Sequence, residues 1–303
     1  MHSEEIHTKL KGWAEQGLFL LRKLLPSMAP VSRHEHWEPA ERRTLGYLLS
    51  ASARSSESAL LLVANGQLWD AEILVRSVTE GSIKFYYLLQ QPDTFKERHD
   101  DYSRDLYRIA LFKDHKKAAE LLAAVPNPDD HEWKPIRDQL LSDDEFAAIG
   151  NAQTSAGRRS LEAKWGFTGL VGELARSGDN LSRGFTGFAH GYSMASHVLH
   201  ADFVGTSMAL DRDLRSLERR DAILLAHGTR LISDVLTCFY LRLAIGYRFI
   251  SNEFGPVQAA GKEIEALRAG FGNVFEDWMR VEYPAHWYAE AAKEPWPEPG
   301  PDE

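Results

Sequence analysis

Residues 183–203 (RGFTGFAHGYSMASHVLHADF) hold the densest group of chemically active side chains in the sequence. If this segment is one helix, a rotation of about 100° per residue places six polar side chains within an arc of roughly 100°. These residues are Arg183, Thr186, His190, Ser193, His197 and His200. The spacing predicts a polar helical face that combines proton transfer with anion binding.

One reaction that such a face could support is RNA cleavage. Arg183 and His190 have six residues between them, which resembles the upper end of the arginine–histidine spacing in HEPN ribonucleases, themselves small helical bundles. A histidine can move the 2′-hydroxyl proton of RNA while an arginine stabilises charge on the phosphate. Gly184 stands where that family usually has a polar residue. One hypothesis is therefore a metal-independent ribonuclease with RNA as partner, with His197 and His200 as further candidate catalytic residues.

Two other chemistries use the same stretch. Its three histidines would suit a metal if Glu72 or Glu80 arrived from a facing helix, although no Glu-x-x-His pair accompanies them. Residues 191–195 (GYSMA) approach the Gly-x-Ser-x-Gly elbow of hydrolases, but the last glycine is replaced and no apolar strand precedes them. The interpretation favoured over both the ribonuclease and the metal site is a set of histidines hydrogen-bonded within a packed polar seam. We predict no cofactor and no metal.

A second polar pair interrupts an apolar stripe on the helix expected at residues 67–90. Arg76 and Glu80 stand one turn apart within that stripe. If the stripe is buried, the two charges must pair with each other or with polar groups on a facing helix. We predict such a polar seam. Its partners on the other helix would be Tyr192, Ser196 and His200.

The segments that must position these side chains all have sequence patterns typical of helices. Apolar residues recur at helical spacing, and no segment has the alternation of a strand. We predict an all-α multi-helix bundle with long antiparallel helices, in a single domain over residues 1–283. A proline-rich tail, 284–303, is expected to be extended or disordered. The main helices are expected at 4–25, 39–65, 67–90, 92–124, 168–176, 183–203 and 256–281, with one or two long helices over 211–252.

Composition narrows the classes of partner and compartment. The 303 residues carry a net charge of -9, which argues against a general nucleic-acid binder or an anionic-membrane binder but allows a local basic site. The single cysteine, Cys238, has no disulfide partner and lies in an apolar run. No basic region followed by a long apolar run begins the chain. We expect a cytoplasmic protein with no membrane partner.

Several segments resemble the bacterial domain-of-unknown-function family 5677 (DUF5677). The resemblance spans roughly residues 45–205 and includes 59–89 (ALLLVANGQLWDAEILVRSVTEGSIKFYYLL) and Lys164-Trp165-Gly166. It continues in a spaced Tyr192, Ser196 and His200-Ala201-Asp202. The resemblance implies a family arginine–glutamate pair at Arg76 and Glu80 and a family histidine at His200. It also implies a link to bacterial stress or phage defence, but it specifies no reaction.

The competing hypothesis is a non-enzymatic interaction or dimerisation module. Aromatic residues along the helices could form a dimer face, and a homo-oligomer is expected. Convergence of Arg183, His190 and His197 on an open cleft would favour an enzyme. Their burial with Arg76 and Glu80 in a closed network would favour a structural seam. The aromatic residues are Trp165, Phe167, Phe185, Phe188 and Tyr192.

Overall fold

The structure, a computed structural model, describes residues 3–284, and every regular element in that range is helical. The predicted all-α class is confirmed. A π-helical segment, Asp101–Asp105, joins α5 to α6. The helices are α1 (Glu4–Leu24), α2 (Ala29–Ser32), α3 (Pro39–Ala64), α4 (Leu68–Leu89), α5 (Pro92–Asp100), α6 (Leu106–Ala124), α7 (Lys134–Arg137), α8 (Asp143–Ala152), α9 (Ser155–Trp165), α10 (Phe167–Arg176), α11 (Arg183–Thr186), α12 (Ala189–His200), α13 (Phe203–Asp213), α14 (Leu217–Phe249), α15 (Gly255–Ala269) and α16 (Val274–Glu282).

The core is built on α3 and α4, which run antiparallel on either side of a tight turn. Gly66 has a φ of 73°, a left-handed conformation that a side chain would strain. The turn closes because the Gln67 N–H donates to the Leu62 carbonyl at 2.9 Å. This reversal lays the polar positions of α4 along the inside of the bundle.

Helix α14 packs against both α4 and α1 and forms the centre of the fold. A Cβ on Gly228 would lie 2.4 Å from a methyl carbon of Leu10, so a glycine here permits the close approach of α1. Among the described residues, α14 is the one helix that is long and apolar enough to cross a membrane. Its most apolar window is 67% buried within the protein. Packing at the centre of a bundle accounts for that composition.

A partly buried carboxylate fixes the start of the segment that carries the candidate histidines. Asp179 accepts hydrogen bonds from the Tyr86 hydroxyl of α4 at 2.7 Å and from the Arg248 guanidinium of α14 at 3.0 Å. The bond with Arg248 lowers the pKa of the Asp179 carboxyl, and burial opposes it without reversing the direction. The chain therefore enters α11 from a point attached to both central helices.

The expectation of one continuous helix over 183–203 is wrong. The chain turns between α11 and α12, where the Phe188 N–H donates to the Phe185 carbonyl at 3.1 Å in a three-residue step. Phe185 and Phe188 are both buried, and a tighter turn brings residues three apart onto one side. Gly187 lowers helix propensity at the same point.

The end of the chain also differs from the expectation. The helix predicted over 256–281 is two helices, α15 and α16. They are separated at Gly272, whose φ is 69°. The tail expected at 284–303 lies outside the described residues from residue 285 onward.

We expect Asp179→Asn to lower the free energy of unfolding by about 2 kcal/mol at pH 7, because the hydrogen bonds that Tyr86 and Arg248 donate to a charged group are weakened. The folded pKa of Asp179 is depressed. Its stabilisation is therefore present above the unfolded pKa and is lost as pH falls through the folded one. Urea denaturation should show the two proteins converging in acid.

The matched control is Glu173→Gln, which removes a carboxylate from an exposed ion pair with Arg176. It should change the free energy of unfolding by less than about 1 kcal/mol. Equal losses in the two variants would contradict the anchoring role of Asp179.

Candidate functional site

A cavity of about 580 Å³ lies between α4, α12 and α14, with α13 and α16 at its edge. Its volume is within the range of small-molecule sites. Apolar side chains form much of the wall, and several ionisable groups face the same space. The polar lining residues are Glu72, Arg76, Thr79, His190, Tyr192, Arg212, His227, Arg230 and Asp234. The larger apolar ones are Trp69, Val75, Phe188, Met194, Met208, Ile223, Phe275 and Trp278.

A hydrogen-bonded chain of three side chains forms one wall. His227 Nε2 lies 2.6 Å from Glu72 Oε2, and His227 Nδ1 lies 2.7 Å from Arg212 Nη1. An arginine only donates, so Nδ1 must accept and Nε2 must carry the proton. Burial lowers the pKa of His227 to about 4; the bond with Glu72 opposes that shift, and the charge of Arg212 reinforces it. The ring is therefore neutral at pH 7 and donates to Glu72.

Arg230 joins this chain to a second carboxylate. Its guanidinium donates to Glu72 and, at 3.0 Å, to Asp234 Oδ2. Burial raises the pKa of Asp234 to about 6, with Arg230 opposing the shift and Glu72 adding to it. Burial also raises the pKa of Glu72, but its contacts with His227 and Arg230 bring it below the usual range.

A glycine brings α12 close to this network. A Cβ at Gly191 would lie 3.0 Å from Arg230 Nη1, so any side chain there would push the guanidinium. His190 is the adjacent residue; it is exposed and lines the same cavity. The cavity thus has a histidine from α12 and an arginine from α14 on neighbouring parts of its wall.

The structure brings together three members of the predicted polar seam. The Tyr192 hydroxyl accepts from Arg76 Nη2 at 3.0 Å and donates to Glu80 Oε2 at 3.1 Å. Glu80 also accepts from Lys84 at 2.7 Å. Burial and the charge of Glu80 raise the pKa of Tyr192 to about 12, although Arg76 acts in the opposite direction. Tyr192 is therefore a neutral hydrogen-bonding group at pH 7.

The two other predicted members lie outside this cluster. Ser196 donates to the carbonyl of Tyr192 within its own helix, at 3.2 Å. His200 is exposed at the end of α12 and does not line the cavity.

The remaining candidate residues are also dispersed. Arg183 and His190 lie on separate helices, α11 and α12. Arg183 is exposed and does not line the cavity, whereas His190 does. His197 Nδ1 lies 2.6 Å from Asp202 Oδ2. The other oxygen of Asp202 caps α13 at the Gly205 N–H, at 3.0 Å. His197 therefore belongs to the corner between α12 and α13.

The described part of the chain contains no group of side chains suited to binding a metal ion. Within residues 3–284, no three His, Cys, Asp or Glu side chains are placed to hold a metal ion. Cys238 is fully buried, and that burial raises the pKa of its thiol to about 11. It is a small core residue and not a reactive thiol.

Most of the cavity wall is not evident from sequence patterns. Those patterns suggest Glu72 only as a metal ligand, and they do not single out Arg212, His227, Arg230 or Asp234. One signal is present: the last three recur at steps of three and four in a strongly apolar helix. Polar residues on the buried face of such a helix require partners.

Residues 43–216 match the family of unknown function DUF5677, and the chain belongs to that family. The matched range includes Glu72, Arg76, His190 and Tyr192 but ends before α14 begins. The cavity is therefore completed by a helix outside the match. No curated protein and no solved structure matches the chain.

The neutral, buried state of His227 predicts a pH dependence. Its folded pKa is lowered to about 4 from 6.5, so the unfolded chain binds the extra proton between those values and stability falls as pH falls. We expect the difference in free energy of unfolding between wild type and His227→Gln to shrink by up to about 3 kcal/mol from pH 7 to pH 4. Chemical denaturation at several pH values measures it.

Comparison with the variant is needed because neighbouring groups titrate in the same range. The raised pKa of Asp234 stabilises the fold toward acid, and the lowered pKa of Glu72 does the reverse. A difference between the two proteins that stays constant with pH would contradict a neutral His227.

Proposed function

We propose that the protein is a metal-independent ribonuclease of HEPN-like chemistry, acting at the part of the cavity where His190 and Arg230 lie. The observation that carries the proposal is the placement of an exposed histidine beside the Gly191–Arg230 contact on one cavity wall. The sequence predicts His190 as a catalytic residue, and in this proposal Arg230 replaces Arg183 as its arginine partner.

The reaction requires two tasks from these residues. His190 accepts the proton of a ribose 2′-hydroxyl as its oxygen attacks phosphorus, and Arg230 stabilises the charge on the phosphoryl oxygens. The bond to the 5′-oxygen breaks, giving a 2′,3′-cyclic phosphate and a 5′-hydroxyl that is protonated by solvent. No redox step is involved.

The charge of the cavity supports an anionic substrate. Arg76, Arg212 and Arg230 face it together with the carboxylates Glu72 and Asp234. This leaves an excess of one positive charge when both carboxylates are ionised, in a chain whose net charge is -9. A phosphodiester would therefore be attracted locally while most of the surface repels it.

Two further features of the wall support a nucleotide. Trp69 and Phe188 offer aromatic surfaces on which a base can stack. Arg76 Nε and Trp278 Nε1 are buried donors without a hydrogen-bond partner among the described residues. Unpaired buried donors are costly, and a ligand rich in acceptors would reduce that cost.

The proposal includes a biological setting. The protein acts in the bacterial cytoplasm, in a response to stress or phage infection. The stress or defence role is what the sequence resemblance implies; the matched family itself is of unknown function. The one cysteine of the chain, a free thiol, suits a reducing compartment.

One observation favours a second candidate, a non-enzymatic binding module. Arg76, Tyr192, Glu80 and Lys84 hydrogen-bond one another in a continuous cluster, as in a structural seam. In that case the cavity binds its ligand without cleaving it, and the seam fixes the register of α4 and α12.

RNA cleavage in EDTA tests the proposal. We expect His190→Ala and Arg230→Gln each to reduce the cleavage rate at least about hundredfold, because each removes one of the two tasks. The products of the wild type should carry 2′,3′-cyclic phosphate ends. Circular dichroism verifies that the variants remain folded.

Matched controls come from α12 itself and from the preceding helix, α11. His200→Ala removes an exposed histidine of the same helix, and Arg183→Gln removes an exposed arginine; neither residue lines the cavity. Both variants should retain the wild-type rate within about twofold. Loss in Arg183→Gln with full activity in Arg230→Gln would return the site to the Arg183–His190 pair. RNA binding without cleavage would favour the binding module.

A further inference from the structure

Helix α13 has two distinct faces. Met208 and Arg212 point inward and line the cavity. Phe203, Leu210 and Leu214 lie within about 40° of one another on the opposite face. All three are exposed large apolar side chains, Phe203 to the extent of 86%.

Further exposed apolar residues lie close by in the chain. Leu199 is on the last turn of α12, Val204 follows Phe203, and Leu217 begins α14 three residues after Leu214. We call these six residues the α13 face. Their exposed fractions are Leu199 42%, Phe203 86%, Val204 42%, Leu210 61%, Leu214 79% and Leu217 48%.

We propose that the α13 face is the interface of a two-fold symmetric homodimer. Taking about 200 Å² for a whole aromatic side chain and somewhat less for an aliphatic one, the six residues expose roughly 600 Å². A standard interface takes about 800 Å² from each partner, of which about 65% is apolar in homodimers. The α13 face alone therefore supplies the apolar core that a stable dimer needs.

Charge favours a second copy over other occupants. Two chains that each carry a net charge of -9 must meet where neither presents charge. Residues 203–210 (FVGTSMAL) contain no Asp, Glu, Lys or Arg, and of the charged residues that follow, Asp211 and Arg215 pair with each other. Depletion of charge at the centre of an apolar patch is typical of protein interfaces. The overall negative charge opposes an anionic membrane surface.

Symmetry makes the face complementary to itself. A two-fold axis near the middle of α13 runs the two helices antiparallel, so Phe203 of one copy lies toward Leu210 and Leu214 of the other. The dimer would cover the outer side of the helix whose inner side carries Arg212. It does not depend on RNA cleavage.

Sedimentation equilibrium of the full chain tests the dimer. The wild type should have twice the chain mass of 34.2 kDa at micromolar concentration. Phe203→Asp should weaken association at least about hundredfold, since each dimer loses two central aromatic contacts and buries two charges. Leu210→Glu provides a second variant of the same face.

The matched control is Phe19→Asp, because Phe19 is also an exposed phenylalanine, 72% accessible, on α1. This variant should remain dimeric. A monomeric wild type would overturn the proposal, as would a dimer that persists in both α13 variants. A wild type that dimerises only after removal of residues 285–303 would assign the face to that segment and would also overturn it. Cleavage activity is measured separately, and its presence or absence does not decide whether the chain dimerises.

Discussion

The structure depends on the burial of one carboxylate at its centre. Glu72 is 4% exposed between α4 and α14, and an ionised group in that position costs several kcal/mol unless it is paired. Its partners, His227 and Arg230, both come from α14. They fix the rotation and register of that helix against α4. Arg212 extends the same network to α13. The cavity is the space that remains between helices positioned in this way.

Much of the fold could be predicted because it follows from local patterns. Helices α1, α3 and α4 begin and end within one or two residues of their expected positions, where prolines and the Asn65-Gly66 turn mark the boundaries. The proximity of Arg76, Glu80 and Tyr192 also agrees with the predicted seam, since two charges on a buried stripe require partners.

The rest depends on tertiary contacts that a sequence pattern does not contain. The break between α11 and α12 exists because Phe185 and Phe188 are both buried, and helical spacing alone gives no indication of it. That break separates Arg183 from His190. The residue that replaces Arg183 in the proposed site, Arg230, lies close to Gly191 because α14 approaches α12. Gly191 and Arg230 are far apart in the chain, so no local sequence motif contains both.

The ion pairs that hold α14 in place also position Arg230, the arginine of the proposed site. The proposed function requires a phosphate on the side of His190 and Arg230 and a base against Trp69 or Phe188. The most direct measurement is a crystal structure with a 2′-O-methyl dinucleotide, which binds as RNA but lacks the attacking hydroxyl. We predict its phosphate within hydrogen-bond distance, about 3 Å, of Arg230, and its 2′-oxygen beside the His190 ring. A dinucleotide bound beside Arg183, or anywhere outside the cavity, would contradict the proposed site.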